Sequence, residues 1–319
     1  MTCPRCDAPV SPEHLYCEQC GVNLRWARAG CVACGSPDIG EDGFCLQCGR
    51  AQPSDRDRIE LIANGLAGGV SDRGKRRRRN EDAMACAHTG RDGGIAVVAV
   101  VCDGVASVQR GDEAAQVAVQ SASAALLSAV TSDTADLGEA TRVAARRAAQ
   151  AVSALAAHDA SSPRTVDQVD AAAPSSTYVS AVVTDEQVVI GWIGDSRAYW
   201  LGERSRRLTT DHTVGGVLTS WLGADAGEVD PQVRVFQPDG SGVVLLCSDG
   251  LWNYLPEPDQ LAAVALPLLI GDGVNADPFA AASALTERAL AAGGQDNITV
   301  IVLPFPPSPS PTADGTEQM

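Results

Sequence analysis

The sequence predicts an α+β protein in two unlike parts: a short cysteine-rich segment, then a long domain of strands and helices. Three observations predict it. Eight of the eleven cysteines fall in the first fifty residues, in two sets of identical spacing. Beyond them, five apolar β-branched runs have the length of buried strands. Between these runs lie alanine-rich stretches of helical length. At 319 residues the chain is long enough for about two domains. Hydrophobic residues make up 45% but aromatics only 4%, so Ala, Val and Leu must fill the core.

The cysteines come first. Cys3, Cys6, Cys17 and Cys20 recur 28 positions later as Cys31, Cys34, Cys45 and Cys48. Both copies read C-x2-C-x10-C-x2-C and end in Cys-Gly, at Gly21 and Gly49. Two such knuckles supply the four thiolates of a tetrahedral zinc site. Glycine after the second knuckle lets the backbone turn tightly and aim amides at sulfur. Each half is too small to bury a core, so metal must supply its folding energy. All four positions are filled, which makes two structural zinc ions the expectation. Acids outnumber Arg5, Arg25, Arg28 and Arg50 in this segment, which favours protein contact or regulation over nucleic acid. The spacing says nothing of the partner. Cys86, Cys102 and Cys247 lie outside the pattern and read as small core residues.

Next come a polar connector, residues 51–59, and the long domain, residues 60–303. Its strand-like runs are Ile95–Cys102, Tyr178–Thr184, Gln187–Ile193, Val243–Cys247 and Ile298–Leu303. Its helix-favouring stretches are Asp112–Val130, Leu137–Ala157 and Pro278–Ala292. His158–Pro174 is rich in Pro, Ala and Ser and reads as a loop. Residues 304–319 read as a disordered proline-rich tail.

Charge excludes one function class. A net charge of -16 leaves no broad basic face for nucleic acid. The longest purely apolar run, Ile95–Cys102, is far short of the roughly 20 residues a membrane span needs. The first residues carry no apolar signal region, so a cytoplasmic protein is expected. In a reducing compartment, many cysteines point to metal rather than disulfides.

Aspartates sit at the strand ends. Ile95–Cys102 runs into Asp103-Gly104, Val243–Cys247 into Ser248-Asp249-Gly250, and Gln187–Ile193 into Gly194-Asp195-Ser196. Ile298–Leu303 is instead preceded by Asp296-Asn297. If that last strand is antiparallel to its neighbours, all four aspartates meet at one sheet edge. One Asp-Gly is most often a turn; four on apolar strands suggest a purpose. Clustered carboxylates without His or Cys suit hard divalent cations, Mg²⁺ or Mn²⁺. Upstream, Arg73-Gly74-Lys75-Arg76-Arg77-Arg78-Arg79 abuts Glu81-Asp82. A basic run is ordinarily a solvated face, but arginine beside carboxylates and metal also makes a phosphate clamp.

The order of these motifs resembles the PPM family, the type 2C metal-dependent serine/threonine protein phosphatases. The resemblance rests on Arg77-x3-Glu81-Asp82, Asp103-Gly104, Ser176-Thr177, Gly194-Asp195-Ser196-Arg197, Thr210-Asp211-His212, Ser248-Asp249-Gly250-Leu251-Trp252 and Gly294-Gln295-Asp296-Asn297, spanning most of the long domain. The N-terminal unit resembles a double zinc ribbon. The resemblance implies a four-layer α-β-β-α sandwich of two antiparallel sheets flanked by helices. It implies that Asp103 bridges two Mn²⁺ or Mg²⁺ ions, that the Gly104 carbonyl binds one, and that Asp249 and Asp296 complete a shell. Glu81 and Asp82 would hold metal-bound waters, and Asp195 a third ion with Asp249. Arg77 would grip the phosphate, with Asn297 beside it in substrate binding. Two ions roughly 4 Å apart would share a water acidified to hydroxide, which attacks phosphorus in line without a covalent phosphoenzyme. The implied substrates are phosphorylated proteins, and the implied role is to reverse Ser/Thr kinase signalling.

Two departures stand out. Bacterial members usually read Asp-Gly-Met-Gly-Gly where this chain has Asp103-Gly104-Val105-Ala106-Ser107. Val105 cannot donate a proton, so the leaving alkoxide must take one from water. The flap segment Asp211–Leu222 is short, and His212 there reads as an ordinary loop histidine. Two competing readings are an inactive phosphatase-fold scaffold, opposed by the intact aspartate set, and a nucleic-acid-binding ribbon protein, opposed by the acidic charge.

Overall fold

A computed structural model describes residues 30–40, 43–50, 52–91, 93–105, 110–132, 136–160, 173–270 and 276–307, together with residues 8, 9 and 11. Cys3, Cys6, Cys17, Cys20 and the segment 308–319 lie outside the described residues. The chain divides into two units, Met1–Ile59 and Glu60–Met319.

In the first unit, Cys31 and Cys45 are buried and Cys34 and Cys48 exposed. Their four sulfurs lie within 4.8 Å of one another. The Ala33 amide and the Gln52 side chain donate to Cys31 Sγ at 3.4 and 3.3 Å. Gly49 takes the left-handed conformation, φ 69°, that closes the second knuckle.

The second unit is built by alternation along its apolar strands. One sheet runs in the order β1 (Arg58–Ala63), β2 (Ala67–Asp72), β15 (Ile298–Phe305), β14 (Gly242–Cys247), β8 (Arg197–Leu201) and β9 (Arg206–Arg207). The other runs β13 (Gln232–Phe236), β7 (Val188–Ile193), β6 (Tyr178–Val183), β4 (Gly94–Asp103) and β3 (Asp82–Arg91). Two short pairs complete the set: β10 (Thr213–Val214) with β11 (Val217–Leu218), and β12 (Leu222–Gly223) with β5 (Ser175–Ser176). Successive side chains of a strand point to opposite faces. On β4, Val97, Ala99 and Val101 therefore enter one core while Ala96, Val98, Val100 and Cys102 enter another. The first set meets Val244, Leu246, Ile301 and Leu303 of the opposite sheet, forming the central layer. The second set meets helices α1 (Gly111–Val130) and α2 (Leu137–Ala160). Tyr199, Leu245, Val300 and Val302 face the far side, under α3 (Asp249–Trp252), α4 (Pro258–Ala265) and α5 (Pro278–Ala292). The result is the four-layer α-β-β-α sandwich, with small alanines letting helices approach the sheets closely.

Three boundaries differ from the sequence reading by two residues or more. β1 starts at Arg58, inside the segment read as connector. α2 continues to Ala160, past the expected end at Ala157. β15 extends through Pro304 and Phe305, which are in register with Val243 and Gly242. Phe305 is held there because its ring packs edge-on against Trp200, 5.8 Å between centroids. Among the described residues, no helix is long and apolar enough to cross a membrane.

Candidate active site

β15 is antiparallel to both β14 and β2, as bringing its aspartate to the shared edge requires. The aspartates come from two sheets rather than one. Asp103 ends β4 and Asp195 follows β7 in the five-stranded sheet; Asp249 follows β14 and Asp296 precedes β15 in the six-stranded sheet. They converge at one end of the sandwich: Asp82, Asp249, Asp296 and Asp195 all repel the ionised form of Asp103. Asp82 is also its register partner across the β3–β4 ladder.

Backbone approach explains why glycine follows these aspartates. A Cβ on Gly250 would collide with the Asn297 carbonyl, so the start of β15 lies directly over the start of α3. One on Gly104 would strike the carbonyls of Gly111 and Glu81. Gly104 N donates to Glu81 O at 3.2 Å, tying the β4 end to the residue before β3. Asp-Gly here is a close-packing requirement as well as a turn.

Hydroxyl groups the motifs left unassigned hold the carboxylates in place. Asp82 is fully buried and accepts from Thr299 Oγ1 at 2.6 Å and Ser248 Oγ at 2.8 Å. Asp103 N donates to Thr177 Oγ1 at 3.1 Å, and Ser176 Oγ and Thr177 N both donate to Asp103 O. Thr177 in turn bonds Ser196 at 2.7 Å, beside Asp195. The signal for these was a polar residue inside an apolar strand, as at Thr299 in Ile298-Thr299-Val300.

A second network fixes the Asp195 turn. Trp252 Nε1 donates to Asp195 O at 2.9 Å. The Arg197 guanidinium stacks 3.7 Å from the Trp252 ring centroid and pairs with Asp211 at 2.7 Å. His212 belongs to the same turn: its Nδ1 accepts from Gly194 N, and its own amide donates to Gly194 O.

Arg77 Nη2 donates to Asp296 Oδ2 at 2.5 Å, while Lys75, Arg76, Arg78 and Arg79 are exposed. Asn297, expected among the substrate contacts, has its amide spent on the protein itself. Its Nδ2 donates to the carbonyls of Arg73 and Arg79, and its Oδ1 accepts from Glu81 N, each at 2.9 Å. The side chain is buried and staples the loop that carries Arg77.

The carboxylates strain against one another. Burial first, then repulsion by Asp296, Asp195 and Asp82, pushes Asp249 up to about 7. Burial raises Asp82 to about 6, against the opposing bonds from Thr299 and Ser248. Asp103, Asp195 and Glu81 are raised as well, chiefly by burial. Such a cluster demands positive charge, and Arg77 supplies part of it. The donor set is all oxygen, without thiolate or imidazole, which favours hard divalent cations. Among the described residues, the four thiols are the one group of three or more ligand side chains with donor atoms all within 4.8 Å; the carboxylates ring a wider space.

Comparison with known proteins agrees with this fold. Residues 72–273 match the family model of protein phosphatase 2C, and residues 3–49 match that of a double zinc ribbon. The serine/threonine phosphatase stp of Listeria monocytogenes is 30% identical over 263 residues, covering 73% of this chain and 93% of that protein. Protein phosphatase 2C 37 of Arabidopsis thaliana is 30% identical over 170 residues, 41% of this chain and 42% of that protein. Among solved structures, a bacterial serine phosphatase superposes with TM-score 0.60 at 20% identity, over 76% of this chain and 98% of that one. The catalytic domain of the serine/threonine protein phosphatase PstP, solved with two manganese ions, superposes with TM-score 0.57 at 23% identity, over 74% and 96%. Fold and sequence match together define a protein phosphatase of the serine/threonine class. The chain belongs to the protein phosphatase 2C family and carries a double zinc ribbon ahead of the phosphatase domain.

Proposed function

We propose that residues 60–303 hydrolyse phosphoserine and phosphothreonine in proteins, opposing a Ser/Thr kinase in the cytoplasm. The observation that carries this reading is the convergence of Asp103, Asp195, Asp249 and Asp296 from two sheets onto one edge, with Arg77 turned into it. Asp103, the Gly104 carbonyl, Asp249 and Asp296 are the residues that would hold two Mn²⁺ or Mg²⁺ ions, with Glu81 and Asp82 behind them and Asp195 toward a third. Bound there, the cations would supply the Lewis acidity that activates water for attack on phosphorus. The two manganese ions in the PstP catalytic domain support the choice of metal.

The chain's own residues do the positioning. Arg77 presents a planar fork that matches two phosphoryl oxygens and stabilises charge as it develops. Asn297 holds the loop under Arg77, so the guanidinium is aimed before substrate arrives. Ser248 and Thr299 keep Asp82 oriented. Val105 offers no proton, and the departing alkoxide takes one from water. In the first unit, Cys31, Cys34, Cys45 and Cys48 would bind one zinc ion, and Cys3, Cys6, Cys17 and Cys20 a second. The ribbons, residues 1–50, would recruit or regulate through the 51–59 linker. The test is phosphate release from a phosphothreonine peptide with Mn²⁺ and with excess chelator. Turnover only with Mn²⁺ supports the reading; undiminished turnover in chelator contradicts it.

A further inference from the structure

The loop that aims Arg77 has a second feature that catalysis does not use. Six of its seven residues from Arg73 to Arg79 are cationic, in a chain of net charge -16. Solvation alone would explain a floppy basic run, but this one is anchored at both ends. Asn297 Nδ2 grips the Arg73 and Arg79 carbonyls. Lys75 N donates to Gly294 O at 2.7 Å, and Gly74 N to Asp72 Oδ1 at 2.8 Å. The Arg73 side chain donates to the Arg77 carbonyl at 3.1 Å. Fixed this way, the loop turns Arg77 onto Asp296 and leaves Lys75, Arg76, Arg78 and Arg79 exposed around it. Consecutive Cα atoms are about 3.8 Å apart, so these exposed cations all lie within two residues, at most about 8 Å between Cα atoms, of Arg77 and give its loop a cationic rim.

We propose that this rim selects substrates by the charge beside the phosphorylated residue, preferring phosphopeptides with acidic side chains within about three residues of it. The inference rests on the phosphatase reading and deepens it by naming a substrate class. It also runs against what net charge alone suggests: an acidic protein should favour basic peptides, whereas a local cationic rim inverts that preference where docking occurs.

The test uses the full-length protein with Mn²⁺, an aryl phosphate, and three phosphothreonine peptides of equal length with acidic, neutral or basic flanks. Acidic flanks should raise kcat/KM about tenfold over neutral ones, two or three exposed ion pairs together giving that factor. The advantage should shrink as salt rises. The double variant Arg76→Glu/Arg79→Glu should reverse the order of acidic and basic peptides while aryl phosphate turnover stays within about threefold, showing that the variant is folded. Equal rates on the three peptides, or a preference for basic flanks in the unmodified protein, would overturn the proposal with the phosphatase reading intact. Failure on all four substrates would overturn both. Inhibition of peptide hydrolysis by a short single-stranded oligonucleotide, stronger than by an acidic peptide of equal charge, would assign the rim to nucleic acid instead and overturn the proposal.

Discussion

Arg77 and Asp296, 219 positions apart in the chain, are joined by a 2.5 Å hydrogen bond between guanidinium and carboxylate. The bond links the residue proposed to grip phosphate with one proposed to hold metal. It singles out one arginine from a run of four that sequence composition makes interchangeable.

Arg77→Ala should therefore lower kcat/KM on a small aryl phosphate by about 10²-fold, the usual loss of one transition-state donor. Arg76→Ala and Arg79→Ala should stay within about threefold on that substrate, since exposed charges contribute little. Arg77→Lys should restore only part of the loss, because an ammonium lacks the planar fork. Equal effects at the three positions would favour a diffuse electrostatic role.

Asn297→Ala should cost stability as well as activity. It strips partners from the Glu81 amide and from the Arg73 and Arg79 carbonyls. A loss of about 1–3 kcal/mol is expected from groups left unsatisfied, read as a lower urea midpoint. A residue that only touched substrate would lose activity with its midpoint unchanged.

The raised carboxylates set a pH dependence of stability in chelator. Folding lifts Asp82 to about 6 and Asp249 to about 7, both from an ordinary 3.8. Each favours the folded state when protonated. That contribution is full below about pH 4 and lost as pH rises through 6 and 7. In chelator, Tm should be several degrees higher at pH 5 than at pH 8. With excess Mn²⁺ the difference should shrink or reverse, because the ions bind the ionised form. A Tm in chelator that is flat from pH 5 to 8, or rises with pH, would count against a buried, self-repelling cluster.

The two metal populations should sort by ligand. Elemental analysis should find about two zinc ions per chain, falling by one in Cys31→Ser/Cys34→Ser. A protein beginning at Ser54, which keeps β1 whole, should hold no zinc and retain Mn²⁺-dependent turnover of aryl phosphate. Loss of that turnover in a folded truncated protein would make the ribbons part of the active assembly.

Much of this architecture was legible because its signals are local. Five apolar runs marked five of the seven interior strands, all but β2 and β8, and aspartate at the ends of four of them marked the edge where they meet. β3 and β13 were not legible. Both are edge strands of their sheet, and their half-exposed residues lack a continuous apolar run. That the aspartates come from two sheets was also hidden, because runs buried on both faces do not say which neighbour covers each face. The anchoring bonds of Asn297 were hidden for a related reason. Asp296-Asn297 is visible as a motif, but the groups it binds lie more than 200 positions upstream. Arg197, Trp252 and Asp211 fell inside quoted motifs, yet only the fold brings them together behind Asp195.

The central claim is that the aspartate edge is a divalent-cation site that drives phosphoester hydrolysis. Asp249→Asn tests it most directly, because it removes one charge from the cluster and almost no volume. The measurement is Mn²⁺-dependent phosphate release from a phosphothreonine peptide, beside a calorimetric titration of Mn²⁺ and a thermal melt in chelator. The account predicts turnover lowered by at least about 10³-fold, weakened Mn²⁺ binding, and a melt in chelator at or above that of the unmodified protein at pH 8, since a repelling charge is gone. A folded variant that binds Mn²⁺ as before and turns over within tenfold of the unmodified protein would contradict it.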